Sequence, residues 1–132
     1  MIYIPTMRNI LQPSLAVITP ASFSNLATWW KADSFSLSDG TAIGGAGNEW
    51  IDQSGNSNNL TQGTEISQPL YKTNIINGMP VIRFDGSNDF LSFTTELSPG
   101  GNFTVVWIGT VNADSIILGH SVQNQQFRRA RS

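Results

Sequence analysis

The feature that most constrains the fold is a pair of short apolar stretches joined by a polar turn, over residues 81–93. The first stretch reads Val-Ile-Arg-Phe-Asp and the second Phe-Leu-Ser-Phe, and both have the length and residue types of β-strands. The connector from Asp85 to Asp89 contains glycine, asparagine and aspartate, which tolerate positive φ or hydrogen-bond their own backbone. The stretch therefore predicts an antiparallel β-hairpin.

Other short strand-like pieces recur along the chain between clusters of turn residues. No stretch repeats its apolar residues with the 3.6-residue period of a helix over three turns. Asn77-Gly78 is a two-residue turn of the kind favoured in hairpins, whereas the glycines of 44–47 predict a flexible connector. This pattern predicts an all-β fold, a sandwich of two antiparallel sheets. The predicted strands are 15–19, 26–32, 49–52, 60–62, 69–73, 103–111 and 113–118.

Composition narrows the class of protein and of partner. A chain of 132 residues fits one domain, and only 12% of its residues are charged, about half the usual fraction. The net charge of −2 argues against nucleic-acid binding, and no apolar run approaches the length of a membrane span. The absence of cysteine excludes disulfides and thiolate chemistry. We therefore expect neutral polar partners or other proteins.

The two ends of the chain differ from the middle. Three prolines at intervals within residues 1–21 predict an extended N-terminal arm, followed by a sandwich domain over 22–119. Residues 120–132 form a basic tail, in which Arg128, Arg129 and Arg131 hold three of the seven positive charges. Removing these three charges from the net −2 leaves −5 for the rest of the chain. The tail is either a solvated terminus or an arm that docks on an acidic neighbour.

Five motifs carry a resemblance to a known family. In their order they resemble the concanavalin A-like (LamG-like) jelly-roll domains, in the version common in phage structural and tail proteins and in bacterial surface proteins. The resemblance covers roughly residues 22–119. The motifs are Leu-Ala-Thr-Trp-Trp-Lys-Ala-Asp at 26–33, Trp-Ile-Asp-Gln-Ser-Gly-Asn-Ser-Asn-Asn-Leu-Thr-Gln at 50–62, Pro-Leu-Tyr at 69–71, Ile-Asn-Gly-Met-Pro-Val-Ile-Arg-Phe-Asp-Gly at 76–86 and Asp-Phe-Leu at 89–91.

The resemblance implies a jelly roll of two stacked antiparallel sheets, and it implies binding or assembly far more often than catalysis. Domains of this family run well beyond a strand such as 103–111, and this chain departs from them by stopping soon after it. We therefore expect an abbreviated sandwich, a sandwich whose missing strands come from a neighbouring chain, or a truncated version. Unpaired strand edges of a partial sandwich favour assembly by strand addition.

Carboxylates are the first candidates for chemistry. Asp85 and Asp89 flank the polar turn, Asp52 opens an asparagine-rich turn, and paired carboxylates can hydrolyse glycosidic bonds. Glucanases of this fold place Glu-x-Asp-x-x-Glu on one strand, and that spacing is missing here. The alternative is that these aspartates accept backbone N–H groups within turns, and we therefore predict no catalytic residues.

Calcium binding is a second candidate. Asp52, Asn56 and Asn58, with Asn59 beside them, offer oxygen ligands at close spacing, although the pattern is not that of an EF-hand. The alternative reading is a polar turn without a metal. No other cofactor is expected.

The four tryptophans are a third candidate. Exposed tryptophans stack on sugar rings, whereas buried ones fill a sandwich core. Trp29 and Trp30 are adjacent on a predicted strand and must face opposite ways, so we assign Trp30 to the core and Trp29 to an outer face. Trp29 is thus a predicted contact for a partner or glycan, as are the three arginines of the tail.

These expectations combine into a functional hypothesis. The chain is expected to be a non-enzymatic structural protein of a phage particle, either a head decoration or cement protein or a tail or fibre component. Its partners would be other virion proteins or copies of itself, without nucleic acid or membrane. The alternative is a carbohydrate-binding module that recognises cell-surface glycans, located outside the cell or at its surface.

Overall fold

The structure is a computed structural model, and it describes residues 18–95, 102–111, 116–119 and 126–128. The described part of the chain is β-rich, as predicted, and its strands pair in two antiparallel sheets of two strands each. The jelly-roll sandwich itself stays a prediction. The strands are β1 (Leu70–Ile76), β2 (Met79–Arg83), β3 (Ile116–Gly119) and β4 (Gln126–Arg128), and three single-turn 3-10 helices span Pro20–Ser22, Ala32–Ser34 and Glu65–Ser67.

Strands β1 and β2 form a hairpin around Asn77-Gly78. Both turn residues have positive φ, 51° and 79°, as a two-residue hairpin turn with the correct twist requires. The register pairs Tyr71 with Ile82 and Lys72 with Val81, and it shifts between Lys72 and Ile76. The turn predicted from the Asn-Gly pair is therefore confirmed.

The core forms where β1 meets the segment 41–43. Backbone hydrogen bonds join Ile43 N to Pro69 O at 2.9 Å and Tyr71 N to Thr41 O at 2.8 Å. The side chains of Ile43 and Pro69 are fully buried, and Tyr71 is nearly so. The ring of Phe35 meets the ring of Tyr71 edge-on, with 5.8 Å between centroids, which is a favoured aromatic geometry.

The hairpin predicted over 81–93 is wrong in its second half. Strand β2 ends at Arg83, and Ser92 pairs instead with Thr61, through backbone hydrogen bonds of 2.8 and 3.0 Å. The reason is competition between two turns. The shorter Asn77-Gly78 turn already pairs β2 with β1, and the longer turn at 85–89 carries the chain across to Thr61.

The glycine-rich stretch 44–47, predicted as a flexible connector, closes a hydrogen-bonded turn. Gly44 N donates to Asn48 O at 2.8 Å, and Gly44 O accepts from Gln62 N at 2.9 Å. Gly44 is buried with a φ of 109°, and a Cβ there would lie 2.7 Å from Leu91 Cδ2. Glycine is required here because neither the backbone angle nor the space admits a side chain.

The other predicted strands have mixed outcomes. Trp50 pairs with Leu60 in an isolated antiparallel bridge, which joins the predicted strands 49–52 and 60–62. No regular strand forms over 26–32 or over 103–111. Strand β3 overlaps the predicted strand at 113–118 and ends one residue later, at Gly119. Its partner β4 lies in the stretch predicted as a tail. Residues 1–17 of the predicted arm lie outside the described residues.

Candidate functional site

The best-connected polar group in the described part of the chain is the buried carboxylate of Asp52. Its Oδ1 accepts hydrogen bonds from the backbone N–H of Trp29 and of Ser54, both at 2.9 Å. Its Oδ2 accepts from Ser54 Oγ at 2.7 Å and from Asn58 N at 3.1 Å. We call the side chains of Asp52, Ser54, Asn56 and Asn58 the Asp52 hub. The prediction that Asp52 accepts backbone N–H groups is confirmed.

The asparagines of the hub bind the backbone of the segment before Trp29. Asn56 Nδ2 donates to Leu26 O at 2.8 Å and to Ala27 O at 3.1 Å, and Asn58 Nδ2 donates to Ala27 O at 2.9 Å. Asn58 O in turn accepts from the indole N–H of Trp30 at 2.8 Å. Side chains therefore hold residues 26–30 in place of the β-ladder that the sequence predicted for them.

The electrostatics of Asp52 favour its ionised form. Burial of the carboxylate acts to raise the pKa of Asp52, but the hydrogen bonds from Trp29, Ser54 and Asn58 outweigh it and hold the pKa below the ordinary value of 3.8. The carboxylate is therefore charged at neutral pH, and its charge is neutralised by N–H and O–H dipoles.

The same contacts argue against calcium at the predicted ligands Asp52, Asn56 and Asn58. Both carboxylate oxygens of Asp52 face hydrogen-bond donors, whereas a cation needs oxygens that converge on it without intervening N–H groups. No cluster of three or more histidine, cysteine, aspartate or glutamate side chains able to hold a metal occurs among the described residues. The hub fits the polar-turn alternative better, although Asn58 Oδ1 is buried without a hydrogen-bond partner there.

The predicted turn at 85–89 is held by its two aspartates. Asp85 Oδ1 accepts from the backbone N–H of Ser87 at 2.8 Å, of Asn88 at 3.2 Å and of Asp89 at 3.3 Å. These bonds, that of Ser87 first, hold the pKa of Asp85 below its usual value against a smaller effect of desolvation. Asp89 Oδ2 accepts from Asp85 N at 2.9 Å. The two carboxylates are turn acceptors, as the alternative to a catalytic pair predicted.

Sequence reasoning missed one charged pair. Lys72 on β1 donates to Asp39, whose other carboxylate oxygen accepts from Thr73 N at 2.9 Å. The Lys72 hydrogen bond is the main cause that lowers the pKa of Asp39. The two residues are 33 positions apart, and no local pattern joins them.

The adjacent tryptophans are both half-buried. The Trp30 ring packs on Phe93, with 5.3 Å between centroids, but Trp30 is half-buried just as Trp29 is, so its assignment to the core stays a prediction. The ammonium of Lys31 lies 5.6 Å from the centroid of the Trp29 ring, in cation–π distance. One face of Trp29 is therefore near a lysine, and its role as a partner or glycan contact stays a prediction.

The second candidate surface is residues 103–108, which we call the exposed apolar segment. It runs without a turn or bend, and no hydrogen bond joins it to any other described residue. Val106 is 83% exposed and Ile108 is 91% exposed. Phe103, Val105 and Trp107, on the alternate positions, are also exposed, so large apolar side chains on both sides of the segment meet solvent.

The indole of Trp107 packs against a nearby residue of the same stretch, Gly109. The place that a Cβ on Gly109 would occupy overlaps Cζ2 of the indole and is 2.9 Å from Cη2. The ring therefore rests on the backbone at Gly109, and 46% of Trp107 stays exposed. With Thr110 and Val111, these two residues line an open depression. The sequence could not assign this tryptophan to a surface, because a strand apolar on both faces is typical of a buried one.

Most of the arginines predicted as partner contacts in the C-terminal tail lie outside the described residues. Arg128 ends β4, whereas Arg129 and Arg131 lie outside the described residues, as does His120. No helix among the described residues is long and apolar enough to cross a membrane.

Comparisons with protein-family models, with curated proteins and with solved structures found no match for this chain. The likeness to concanavalin A-like domains therefore depends on the sequence motifs alone.

Proposed function

We propose that this chain is a non-enzymatic structural protein of a phage particle, either a head decoration or cement protein or a tail or fibre component. It assembles by adding its exposed apolar segment to a strand of another virion protein or of a second copy. The added strand joins the jelly-roll sandwich that we propose for this chain.

The observation that supports this proposal is the exposed apolar segment. Its backbone N–H and C=O groups have no partners among the described residues, which is the state of a strand edge before pairing. A neighbouring strand satisfies those groups, and the pairing is independent of the side chains.

The side chains give a second driving force. Val106 and Ile108 stay in solvent in the isolated chain, although burying each is worth about 1.5–3 kcal/mol. Contiguous exposed apolar groups mark interaction surfaces in soluble proteins. Assembly that covers this side of the segment recovers that free energy.

The test compares the association of three purified chains by sedimentation velocity over a range of concentrations. We expect the wild-type chain to associate and Val106→Lys to stay monomeric, because the new ammonium group cannot be buried without a partner. Ile66→Lys is the matched control, since Ile66 is 79% exposed, close to the value for Val106, but lies in the 3-10 helix Glu65–Ser67. It should associate as the wild type does.

A separate experiment, immunogold labelling, tests whether the chain is part of a phage particle. Gold-labelled antibody against the chain should decorate phage particles purified from the host that encodes it. A wild-type chain that stays monomeric and is also missing from those particles would overturn the proposal. Association that survives Val106→Lys would instead show that the surface is elsewhere.

A second candidate function is recognition of cell-surface glycans. One observation favours it, namely the partly exposed indole of Trp107, which lies against Gly109. Pairing through the backbone edge, with Val106 and Ile108 covered, leaves this alternate side of the segment open.

A further inference from the structure

The depression beside Trp107 combines three features that a ligand could use. The indole gives a flat apolar surface, and its six-membered ring lies against Gly109, so close that a Cβ at that position would overlap it. Thr110, which carries a hydroxyl group, also lines the depression. The backbone groups of the exposed apolar segment, which have no partner within the described parts of the chain, add further donors and acceptors.

The chemistry of these groups selects one ligand class. A pyranose ring has an apolar face of C–H groups and a rim of hydroxyls, and it therefore matches an aromatic plane beside hydroxyl and peptide groups. Residues 102–111 carry no ionisable side chain, and the chain as a whole is acidic. A neutral sugar suits this surface, whereas an anionic sugar would meet no counter-charge there.

We infer that Trp107, Gly109 and Thr110 form a stacking subsite for a neutral hexopyranose. The inference rests on the second candidate function, glycan recognition, and it names the subsite and the class of sugar. Gly109 is a positioning residue, because its missing side chain leaves the room that the indole occupies. Trp107 is the contact residue.

Calorimetric titration of the full chain with three neutral probes, cellohexaose, maltohexaose and β-1,4-mannohexaose, tests the subsite. An alginate hexamer is the anionic comparison. We expect saturable binding of at least one neutral probe and about tenfold weaker binding by Trp107→Ala, since aromatic stacking is lost. The alginate hexamer should not bind.

Gly109→Ala separates a role in binding from a role in folding. Its Cβ displaces the indole while every aromatic ring is retained, and the position is exposed, so we expect weaker sugar binding with an unchanged urea midpoint. Phe23→Ala is the matched control, because Phe23 is another exposed aromatic residue, far from the segment in sequence. It should bind as the wild type does.

The outcomes that overturn the inference are distinct. If a neutral probe binds and both Trp107→Ala and Gly109→Ala bind it equally well, the subsite is wrong and glycan recognition survives. If no neutral probe binds, or if alginate binds as tightly, glycan recognition by this surface is overturned as well.

Discussion

The Asp52 hub and the exposed apolar segment differ in how their backbone and polar groups are hydrogen-bonded. In the hub, one buried carboxylate accepts four hydrogen bonds, and the neighbouring asparagines bind two backbone carbonyls of a distant segment. In the segment, six consecutive residues make no hydrogen bond to the rest of the described chain and expose their apolar side chains.

The difference distinguishes groups that are hydrogen-bonded within the chain from groups that are available to a partner. Most polar groups of the hub are paired internally, with Asn58 Oδ1 as the exception, because an unpaired buried group costs a large part of the stability of a small domain. Backbone groups of the exposed apolar segment have no hydrogen-bond partner among the described residues. We therefore assign the hub to folding and the segment to binding, and substitutions can test that division.

The largest effect is expected for Asp52→Ala. The substitution leaves the N–H groups of Trp29, Ser54 and Asn58 without their acceptor, and we expect the free energy of unfolding to fall by about 3 kcal/mol or more. Urea unfolding followed by tryptophan fluorescence measures it. Ile108→Ala in the exposed apolar segment is the control, with an expected change within about 0.5 kcal/mol. Equal losses in the two variants would contradict the division.

The next effect is expected for Gly44→Ala, which tests the close packing of Gly44 against Gln62 and Leu91. The new Cβ would lie 2.7 Å from Leu91 Cδ2 and 2.8 Å from Gln62 N, at a φ of 109°. We expect a loss of roughly 2 kcal/mol in the free energy of unfolding. Gly47→Ala is matched in backbone strain, with a φ of 83°, but meets open space, and should cost only about 1 kcal/mol. Similar costs would show that close packing at Gly44 is unimportant.

The smallest effect is expected from acid. Because the pKa of Asp52 is lower in the folded chain than its ordinary value of 3.8, the stability it contributes is complete above that pH. It is lost as the pH falls through the folded-state pKa. Asp39 and Asp85 also have lowered pKa values, so the wild-type profile contains their contributions.

The difference between the wild type and Asp52→Asn isolates the hub in that profile. The asparagine cannot titrate, so urea midpoints measured at several acidic pH values should fall less steeply in the variant than in the wild type. Parallel profiles would mean that Asp52 has the same pKa in the folded and unfolded chain.

Several local features were predictable from sequence, because their causes lie within a few residues. Asn77-Gly78 predicted the β1–β2 turn, since both residues tolerate the positive φ that it needs. Asp85 predicted its own turn, since its carboxylate reaches the N–H groups two to four residues later. The β-rich class followed from many such turns between short apolar pieces.

Long-range partners were not predictable in the same way. The sequence predicted pairing between the two halves of 81–93. In the structure Ser92 pairs instead with Thr61, which is 31 positions away along the chain. The sequence predicted Gly44 to be part of a flexible connector, but in the structure it packs closely against Gln62 and Leu91. Residues 26–30 were predicted to form a strand because their alternation is strand-like, yet side chains of the Asp52 hub hold them.

The sequence by itself determined the turns, the β-rich class and the polar character of the asparagine-rich stretch, because these depend on backbone preferences and on contacts between near neighbours. Only the tertiary structure decided that Ser92 pairs with Thr61, that Asp52 accepts from the distant backbone N–H of Trp29, and that Trp107 lies partly exposed against Gly109. Those outcomes depend on which surfaces cover one another, and the same apolar run suits a buried strand or an exposed one until its neighbours are known.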